Sequence, residues 1–298
     1  MQIRMQEGNS AGELSYTSWE LSLVGAAVDD RGRAALEFAR DSSGDARTLS
    51  YLSDAFAVED AGQLRNAEDL LETLSAEARK SILLEATTLG FVEIFLVAKT
   101  LKAVGCSNLS LLYVEPGEYA SPRRTQLLHK RDFELSDEVP GYKGIPGATL
   151  VTTDRTNQRA VFFLGYEERR LDVALQMQIV RPSDVSVVFG VPAFTPGWEM
   201  NAFANNIRVI RDNNISGGVY FCGAESPLAA YEILDEIHES LLPGERLIVG
   251  PIGTKPNGIG AALFAAGHED VGLFYDHPKK SAKRSTGIAR WHLYQIEF

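Results

Sequence analysis

Short apolar runs alternate with longer amphipathic stretches along most of the chain. In the first part of the chain, the apolar runs predict strands over residues 19–24, 48–52, 81–86 and 109–114. Apolar residues at helical spacing predict helices over residues 29–39, 61–80 and 91–104. Strands that alternate with helices are typical of a parallel α/β sheet with right-handed crossovers.

The same alternation resumes after residue 157. It predicts strands over residues 160–164, 185–190, 218–222, 246–252 and 271–275. It predicts helices over residues 171–179, 201–211, 229–241 and from residue 255 onward. Residues 291–298 alternate along their length and suit a final edge strand, which can be antiparallel. The polar residues 1–12 are predicted to be a loose tail or a short edge element.

Residues 117–155 interrupt this pattern. They are polar, contain three prolines and carry two basic runs, Arg123-Arg124 and His129-Lys130-Arg131. We interpret them as a connecting insertion with some hairpin content. Two interpretations stay open for its basic residues, because they can form a solvated loop or a lid over an anionic site.

The second part of the chain repeats the first in four blocks that occur in the same order. The matched pairs are Gly25 with Asp29-Asp30-Arg31 and Gly165 with Glu167-Glu168-Arg169, then 49–56 and 187–194, then the turns at Thr87-Thr88 and Gly253-Thr254, then 111–116 and 273–278. Four ordered matches favour duplication and divergence. Duplicated units are expected to pack about a pseudo-twofold axis.

The fold prediction is therefore an α/β protein of two tandem Rossmann-like units with mainly parallel sheets, related by a pseudo-twofold axis. The first unit is predicted over residues 1–120, with an N-terminal tail at 1–15. Residues 121–156 form the linker or insertion, and residues 157–298 form the second unit. Ligands of open α/β sheets bind outside the carboxyl ends of the strands, where the informative turns lie.

Charge and composition exclude some functions. The 298 residues carry a net charge of −11, which argues against non-specific binding of duplex DNA. Cys106 and Cys222 match neither a metal spacing nor a disulfide framework, which favours the cytosol. No apolar run reaches the about 18 residues that span a membrane. The chain carries neither a Walker A sequence nor a dinucleotide fingerprint, so no cofactor is predicted.

The stretch from Arg246 to Phe264 is the most informative one. It predicts an apolar strand, a turn at Gly253-Thr254-Lys255 and a helix that Thr254 caps, with Pro256 in the first helical turn. The free N–H groups of this turn, the helix dipole and the Lys255 ammonium suit a phosphate, with Asn257 close by. The alternative is a capped turn whose lysine is merely solvated.

A second candidate segment, Gly165-Tyr166-Glu167, follows directly on a predicted strand. Gly165 lets a ligand approach the backbone, and Tyr166 would line the opposite wall of the site. Arg169 can pair with a phosphate, and Glu167 can bind a ribose hydroxyl or act as a base. The alternative is a solvated first helical turn.

His277, which follows the last predicted parallel strand, is a candidate general acid or base because imidazole titrates near neutral pH. A single histidine at the end of a strand is more often simply exposed. The histidines of the chain show no spacing that is typical of a metal site.

Residues 157–298 resemble the CRISPR-associated Rossmann fold sensor domains, called CARF domains. The resemblance lies in Gly253-Thr254-Lys255 after a strand and in Gly165-Tyr166-Glu167 at the end of the opening strand. It implies paired domains that bind cyclic oligonucleotides across the pairing axis. The first unit departs from the pattern, because Thr87-Thr88 replaces the Gly-Thr-Lys turn and no equivalent lysine follows. The chain also shows no attached nuclease or helix-turn-helix domain.

Three functions follow as expectations. The leading one is binding of a phosphate-bearing, nucleotide-type ligand with signalling to a protein partner or effector, in antiviral defence. The second is an enzyme that cleaves or modifies such a nucleotide, with Glu167 or His277 as acid or base. The third is a non-catalytic scaffold subunit. A cytoplasmic location without a membrane partner is expected for all three.

Overall fold

A computed structural model describes residues 1–67, 69–120, 123–124, 131–133, 135–149, 158–282 and 284–298. The chain divides into two compact units. Unit 1 consists of residues 1–120 together with residues 280–298, and unit 2 consists of residues 121–279. Part of the predicted basic lid, including His129 and Lys130, lies outside the described residues.

The described residues form strands and helices in the chain order β1 (Gln2–Gly8), β2 (Leu21–Val24), α1 (Asp30–Asp41), β3 (Ala46–Leu52), β4 (Ala57–Asp60), β5 (Gln63–Asn66), α2 (Leu70–Ser75), β6 (Ile82–Glu85), α3 (Phe91–Ala103), β7 (Leu109–Tyr119), β8 (Arg123–Arg124), β9 (Arg131–Asp132), β10 (Ser136–Glu138), β11 (Gln158–Leu164), α4 (Glu168–Gln176), β12 (Val185–Gly190), α5 (Glu199–Asp212), β13 (Gly218–Cys222), α6 (Pro227–Glu239), β14 (Arg246–Pro251), α7 (Lys255–Gly267), β15 (Val271–Leu273), β16 (Lys279–Lys280) and β17 (Ser285–Glu297). Among these helices, none combines the length and the apolar character that crossing a bilayer requires.

The sheet of unit 1 has the strand order β1-β17-β7-β6-β2-β3-β4-β5. Its centre is parallel, because β2 pairs in parallel with β3 and β6, and β6 pairs in parallel with β7. The strands at both ends, β1 with β17 and β4 with β5, are antiparallel. The α/β architecture agrees with the prediction, but this sheet is mixed rather than mainly parallel.

The last strand differs most from the prediction. The sequence analysis placed residues 157–298 in the second unit, with 291–298 as an edge strand, whereas β17 lies inside the sheet of unit 1. Leu293 lies opposite Leu112 of β7 on one side and Gln6 of β1 on the other. The predicted N-terminal tail is therefore the true edge, β1. Local alternation identifies a strand, but it does not identify the strand's partners, because pairing depends on residues about 180 positions away.

Residues 61–80 were predicted to form a helix, and this prediction is wrong for the first part of the stretch. Residues 57–66 form the antiparallel hairpin β4–β5. Its turn contains Ala61 and Gly62, both with positive φ, at 47° and 81°. A helix cannot contain two consecutive left-handed residues, so the leucine spacing applies only to α2, which begins at Leu70.

The sheet of unit 2 is wholly parallel, with the strand order β13-β12-β11-β14-β15. The chain moves outward from β11 to β13 and then returns to the other side of β11 with β14. The strand order therefore reverses between β11 and β14, which makes this position the topological switch point where open α/β sheets bind ligands. The core includes the fully buried residues Leu171 and Val187, and the nearly buried Leu164.

The four strands that the sequence blocks match have the same neighbours in both sheets. In unit 1 the order is β3-β2-β6-β7, and in unit 2 it is β12-β11-β14-β15. Unit 2 adds β13 outside β12, whereas unit 1 adds the hairpin β4–β5 outside β3. The pseudo-twofold relation between the units stays a prediction.

We predict that Leu293→Ala destabilises unit 1. Leu293 has no exposed surface and packs in a cluster with Trp19 and Trp291, so the truncation leaves a cavity. Large-to-small substitutions of this kind cost about 2–5 kcal/mol. Denaturant unfolding followed by tryptophan fluorescence measures the effect. Glu297→Ala, at the exposed end of the same strand, is the control, and equal unfolding midpoints for the two variants would contradict the placement of β17.

Candidate functional site

The two turns that were predicted to form a site meet at the switch point of unit 2. Gly165 follows β11, and Gly253 follows the neighbouring strand β14. A Cβ atom added to Gly165 would lie 3.0 Å from the carbonyl oxygen of Ile252. One added to Gly253 would lie 3.2 Å from the backbone of Phe163. Glycine is therefore favoured at both positions, because a Cβ atom there would press on the backbone of the neighbouring segment.

Thr254 and Asn257 brace the start of α7. The Thr254 hydroxyl caps the helix by accepting a hydrogen bond from the Asn257 N–H at 3.4 Å, and it donates to the Ala224 carbonyl at 2.7 Å. The Asn257 side chain is buried and donates to the Gly223 carbonyl at 2.9 Å. These two side chains fix the turn against the loop before α6. Contacts to a ligand would then come from backbone N–H groups and from Lys255, which is half-buried.

The backbone N–H groups of this turn distinguish the two units. In unit 1, Thr87 and Thr88 donate their N–H groups to the buried carboxylate of Glu85, at 2.7 and 2.9 Å. In the matched turn of unit 2, the N–H groups of Gly253 and Thr254 donate no hydrogen bond within the described part of the chain. Pro251 stands where unit 1 has Glu85, so unit 2 lacks the internal acceptor.

The loop after β11 is held by its neighbours. Asn206 and Asn205 of α5 donate to the carbonyl groups of Gly165 and Tyr166, at 2.8 and 2.6 Å. The ring of Tyr166 packs on Phe133, with 4.6 Å between the ring centroids. These contacts occupy the carbonyl groups of the loop.

Two charged residues of this loop, Glu167 and Arg169, differ in their contacts and exposure. The carboxylate of Glu167 accepts hydrogen bonds from the N–H groups of Leu135 and Ser136, both at 3.1 Å, and from the Ser136 hydroxyl at 3.0 Å. Both carboxylate oxygens are therefore engaged in holding a neighbouring segment. Arg169 is exposed in the first turn of α4.

The strongest polar contact at this edge involves Arg170 and Asp276, which the sequence analysis did not select. The guanidinium of Arg170 forms a bidentate pair with the fully buried Asp276, with both bonds at 2.6 Å, and it donates to the Ile252 carbonyl at 3.2 Å. Burial alone would lower the pKa of Arg170, but Asp276 outweighs it and the pKa is raised. The pair lies 106 positions apart, so no local pattern could have revealed it.

His277 follows Asp276 and adopts a left-handed backbone conformation, with φ at 49°. Its ring packs edge-on against Tyr275, with 5.3 Å between the ring centroids. The sequence analysis had selected Arg169 and His277. The residues that form the ion pair, Arg170 and Asp276, are their immediate neighbours in the chain.

The carboxyl edge of unit 1 repeats part of this arrangement. The Gly25 N–H donates to the Thr88 hydroxyl at 2.8 Å, so the first strand again meets the turn after β6. The sequence shows no lysine beside this turn. The structure supplies one from Lys280, whose ammonium donates to the carbonyl groups of Thr88 and Leu89, at 2.6 and 3.2 Å.

Asp29 and Arg31 form a buried pair at the same edge. Arg31 Nε donates to Asp29 at 3.0 Å, and Arg31 Nη1 donates to the Tyr113 hydroxyl at 3.2 Å. Burial alone would raise the pKa of Asp29. Arg31, the Ser285 hydroxyl and the Gly32 N–H together outweigh that effect and hold the pKa well below its ordinary value.

Comparison with protein-family models, with curated proteins and with solved structures found no match to this chain. Within the described residues, no group of three or more His, Cys, Asp or Glu side chains is placed to hold a metal ion. The chemistry available at the carboxyl edge of unit 2 is therefore that of backbone donors, one lysine and a neutralised ion pair.

We predict that Asp276→Asn strongly destabilises unit 2. The substitution leaves the Arg170 guanidinium buried without its counter-charge, and breaking a buried pair in this way costs about 3–5 kcal/mol. Denaturant unfolding of the variant measures this loss. Asp212→Asn is the matched control, because Asp212 pairs with Arg211 on the surface, where such pairs contribute about 0–1 kcal/mol. Similar losses of unfolding free energy in both variants would show that the Arg170–Asp276 pair does not stabilise unit 2 more than a surface pair does.

We also predict that Asp29 makes unit 1 sensitive to acid. Its folded pKa lies below the ordinary value of 3.8, so its contribution is fully present above that pH and is lost as the pH falls toward the folded pKa. Asp29→Asn should lower stability at neutral pH and make the decline below about pH 4 shallower. Urea unfolding at a series of pH values measures this, with the exposed Asp30→Asn as the control. Parallel stability–pH curves for wild type and Asp29→Asn would exclude this role.

Proposed function

We propose that unit 2 binds a phosphate-bearing, nucleotide-type ligand at Gly253, Thr254 and Lys255, and that binding is signalled to a partner protein. The observation that supports this best is the pair of N–H groups, of Gly253 and Thr254, that lack an acceptor within the described chain. They lie beside Lys255 at the start of a 13-residue helix. The matched turn of unit 1 has its own acceptor, Glu85.

The physical argument is electrostatic. The first N–H groups of a helix carry a partial positive charge and have no partner inside the helix. An ammonium on the first helical residue adds a full charge to the same small volume. Pro251 and Gly253 contribute no carboxylate that would compete with a ligand. A phosphate is therefore the anion that this turn accommodates best.

Several features favour a nucleotide over a free phosphate. The turn lies at the switch point of a parallel sheet, where open α/β folds bind extended ligands. Gly165, which follows the neighbouring strand, brings its backbone against this turn. Tyr166 adds an aromatic ring at the same edge, where one side of it packs on Phe133, and aromatic rings stack on bases. The more specific assignment, a cyclic oligonucleotide second messenger in antiviral defence with a protein effector, rests on the resemblance to CARF domains alone.

Binding is favoured over catalysis. The Glu167 carboxylate, one of the two candidate catalytic groups, already accepts three hydrogen bonds from Leu135 and Ser136. A general base needs a free lone pair within reach of the proton that it removes. His277 lies beyond β15 and packs edge-on against Tyr275, and the adjacent carboxylate of Asp276, which could orient an imidazole, is bound by Arg170.

Lys255→Ala tests the proposal. The substitution removes one charge-assisted contact, and such contacts contribute about 1.5–3 kcal/mol, so affinity should fall about ten- to a hundredfold. Fold stability should change by about 1 kcal/mol or less, because Lys255 is only half-buried. Calorimetric titration with cyclic oligonucleotides and linear dinucleotides, alongside thermal melts, measures both quantities. Mass spectrometry of ligands that co-purify with the wild-type chain identifies which of these compounds to titrate first.

Lys102→Ala is the matched control, since Lys102 is exposed on α3 of unit 1. It should leave affinity and melting unchanged. Equal affinity of wild type and Lys255→Ala for a ligand that binds would remove the phosphate role. A large loss of melting temperature in Lys255→Ala would show that the lysine is structural.

A further inference from the structure

We propose that unit 1 contains a separate anion site, in which the guanidinium of Arg284 binds a phosphate group. The site lies immediately before β17, beside the first turn of α1. It is built from residues other than those of the turn in unit 2, and it does not depend on the function proposed for that turn.

Two arginines share one carboxylate in this part of unit 1. The Oδ2 atom of Asp29 accepts hydrogen bonds from Arg31 at 3.0 Å, from the Ser285 hydroxyl at 2.8 Å and from Arg284 at 3.4 Å. The Oδ1 atom accepts the Gly32 N–H at 2.9 Å. The carboxylate is fully engaged, and the contact to Arg284 is the longest of the four.

Asp29 is the carboxylate that Arg284 contacts within the described part of the chain. Glu115, the buried acid close to Tyr113 and Tyr119, is hydrogen-bonded to His292 at 2.6 Å. Burial raises the pKa of both tyrosine hydroxyl groups, which favours their neutral form. The contact of Arg284 with a carboxylate is therefore the long one at 3.4 Å, to an oxygen that Arg31 and Ser285 also use.

Arg284 is the less well stabilised of the two arginines. Burial and then the like charge of Arg31 lower the pKa of Arg284, whereas the pKa of Arg31 is raised. Arg31 is well supported, since its Nη1 atom donates to the Tyr113 hydroxyl and to the Val114 carbonyl at 3.1 Å. A charged group that is largely removed from water needs a counter-charge. For Arg284, that counter-charge is the Asp29 carboxylate, which is 3.4 Å away and is shared with Arg31.

Arg284 can obtain that counter-charge from solution. Its side chain is 15% exposed, and its two terminal amino groups donate no hydrogen bond within the described part of the chain. Arg31, by contrast, is nearly inaccessible. A guanidinium presents two parallel N–H donors that match two oxygens of a phosphate. Bound there, a phosphate would neutralise the charge that Asp29 leaves uncompensated.

The test uses the full chain carrying Lys255→Ala, which weakens anion binding at the turn in unit 2. Inorganic pyrophosphate, added at constant ionic strength, should raise the melting temperature of this chain. Adding Arg284→Gln should raise the apparent dissociation constant for pyrophosphate about ten- to a hundredfold, because a charge-assisted contact is lost. Adding Arg290→Gln, which removes an exposed arginine paired with Glu7, should leave the response unchanged.

Melting without added anion separates this role from a purely structural one. If Arg284 is an uncompensated charge, Arg284→Gln should keep or raise the melting temperature in phosphate-free buffer, because it removes repulsion from Arg31. A lower melting temperature would show that Arg284 serves as a structural partner of Asp29 and would overturn the proposal. The proposal would also be overturned if pyrophosphate raised the melting temperature equally in the Arg284→Gln variant. It would be overturned as well if acetate raised the melting temperature and pyrophosphate did not.

Discussion

A buried arginine that must be neutralised underlies the arrangement of both units. In each unit it lies in the first turn of the helix that follows the first parallel strand. The guanidinium carbons of Arg31 and Arg170 both lie 5.9 Å from the centroid of a tyrosine ring, which belongs to Tyr113 within β7 and to Tyr275 just beyond β15. A guanidinium removed from water is tolerated only where a carboxylate and carbonyl groups accept its hydrogen bonds. The contacts that neutralise the arginine therefore connect the first and the last parallel strand of each unit.

The two units meet this requirement differently. Unit 2 takes its carboxylate from Asp276, which lies beyond the last parallel strand, in a bidentate pair. Unit 1 takes it from Asp29, which also caps α1 and receives a second arginine. The pair in unit 2 is balanced, so a ligand there would bind to backbone N–H groups and to Lys255. In unit 1, the proposed anion would bind the terminal amino groups of Arg284, which donate no hydrogen bond within the described residues.

The acidic chain and the two proposed anion sites are compatible because electrostatics in folded proteins is local. The net charge of −11 describes the surface as a whole and disfavours large polyanions. At the start of α7, the field is set by backbone dipoles and Lys255 within a few ångströms, where little solvent screens them. A small ligand responds to that field, whereas duplex DNA responds to the entire face.

The sequence by itself determined the α/β class, most strands and helices, and the short-range geometry of the turn at Gly253, Thr254 and Lys255. These depend on spacing, capping and glycine placement, which act over a few residues. It failed for the hairpin β4–β5, for the placement of β17 and for the Arg170–Asp276 pair. Strand partners and buried ion pairs depend on residues far apart in the chain, and only the tertiary structure brings those residues together.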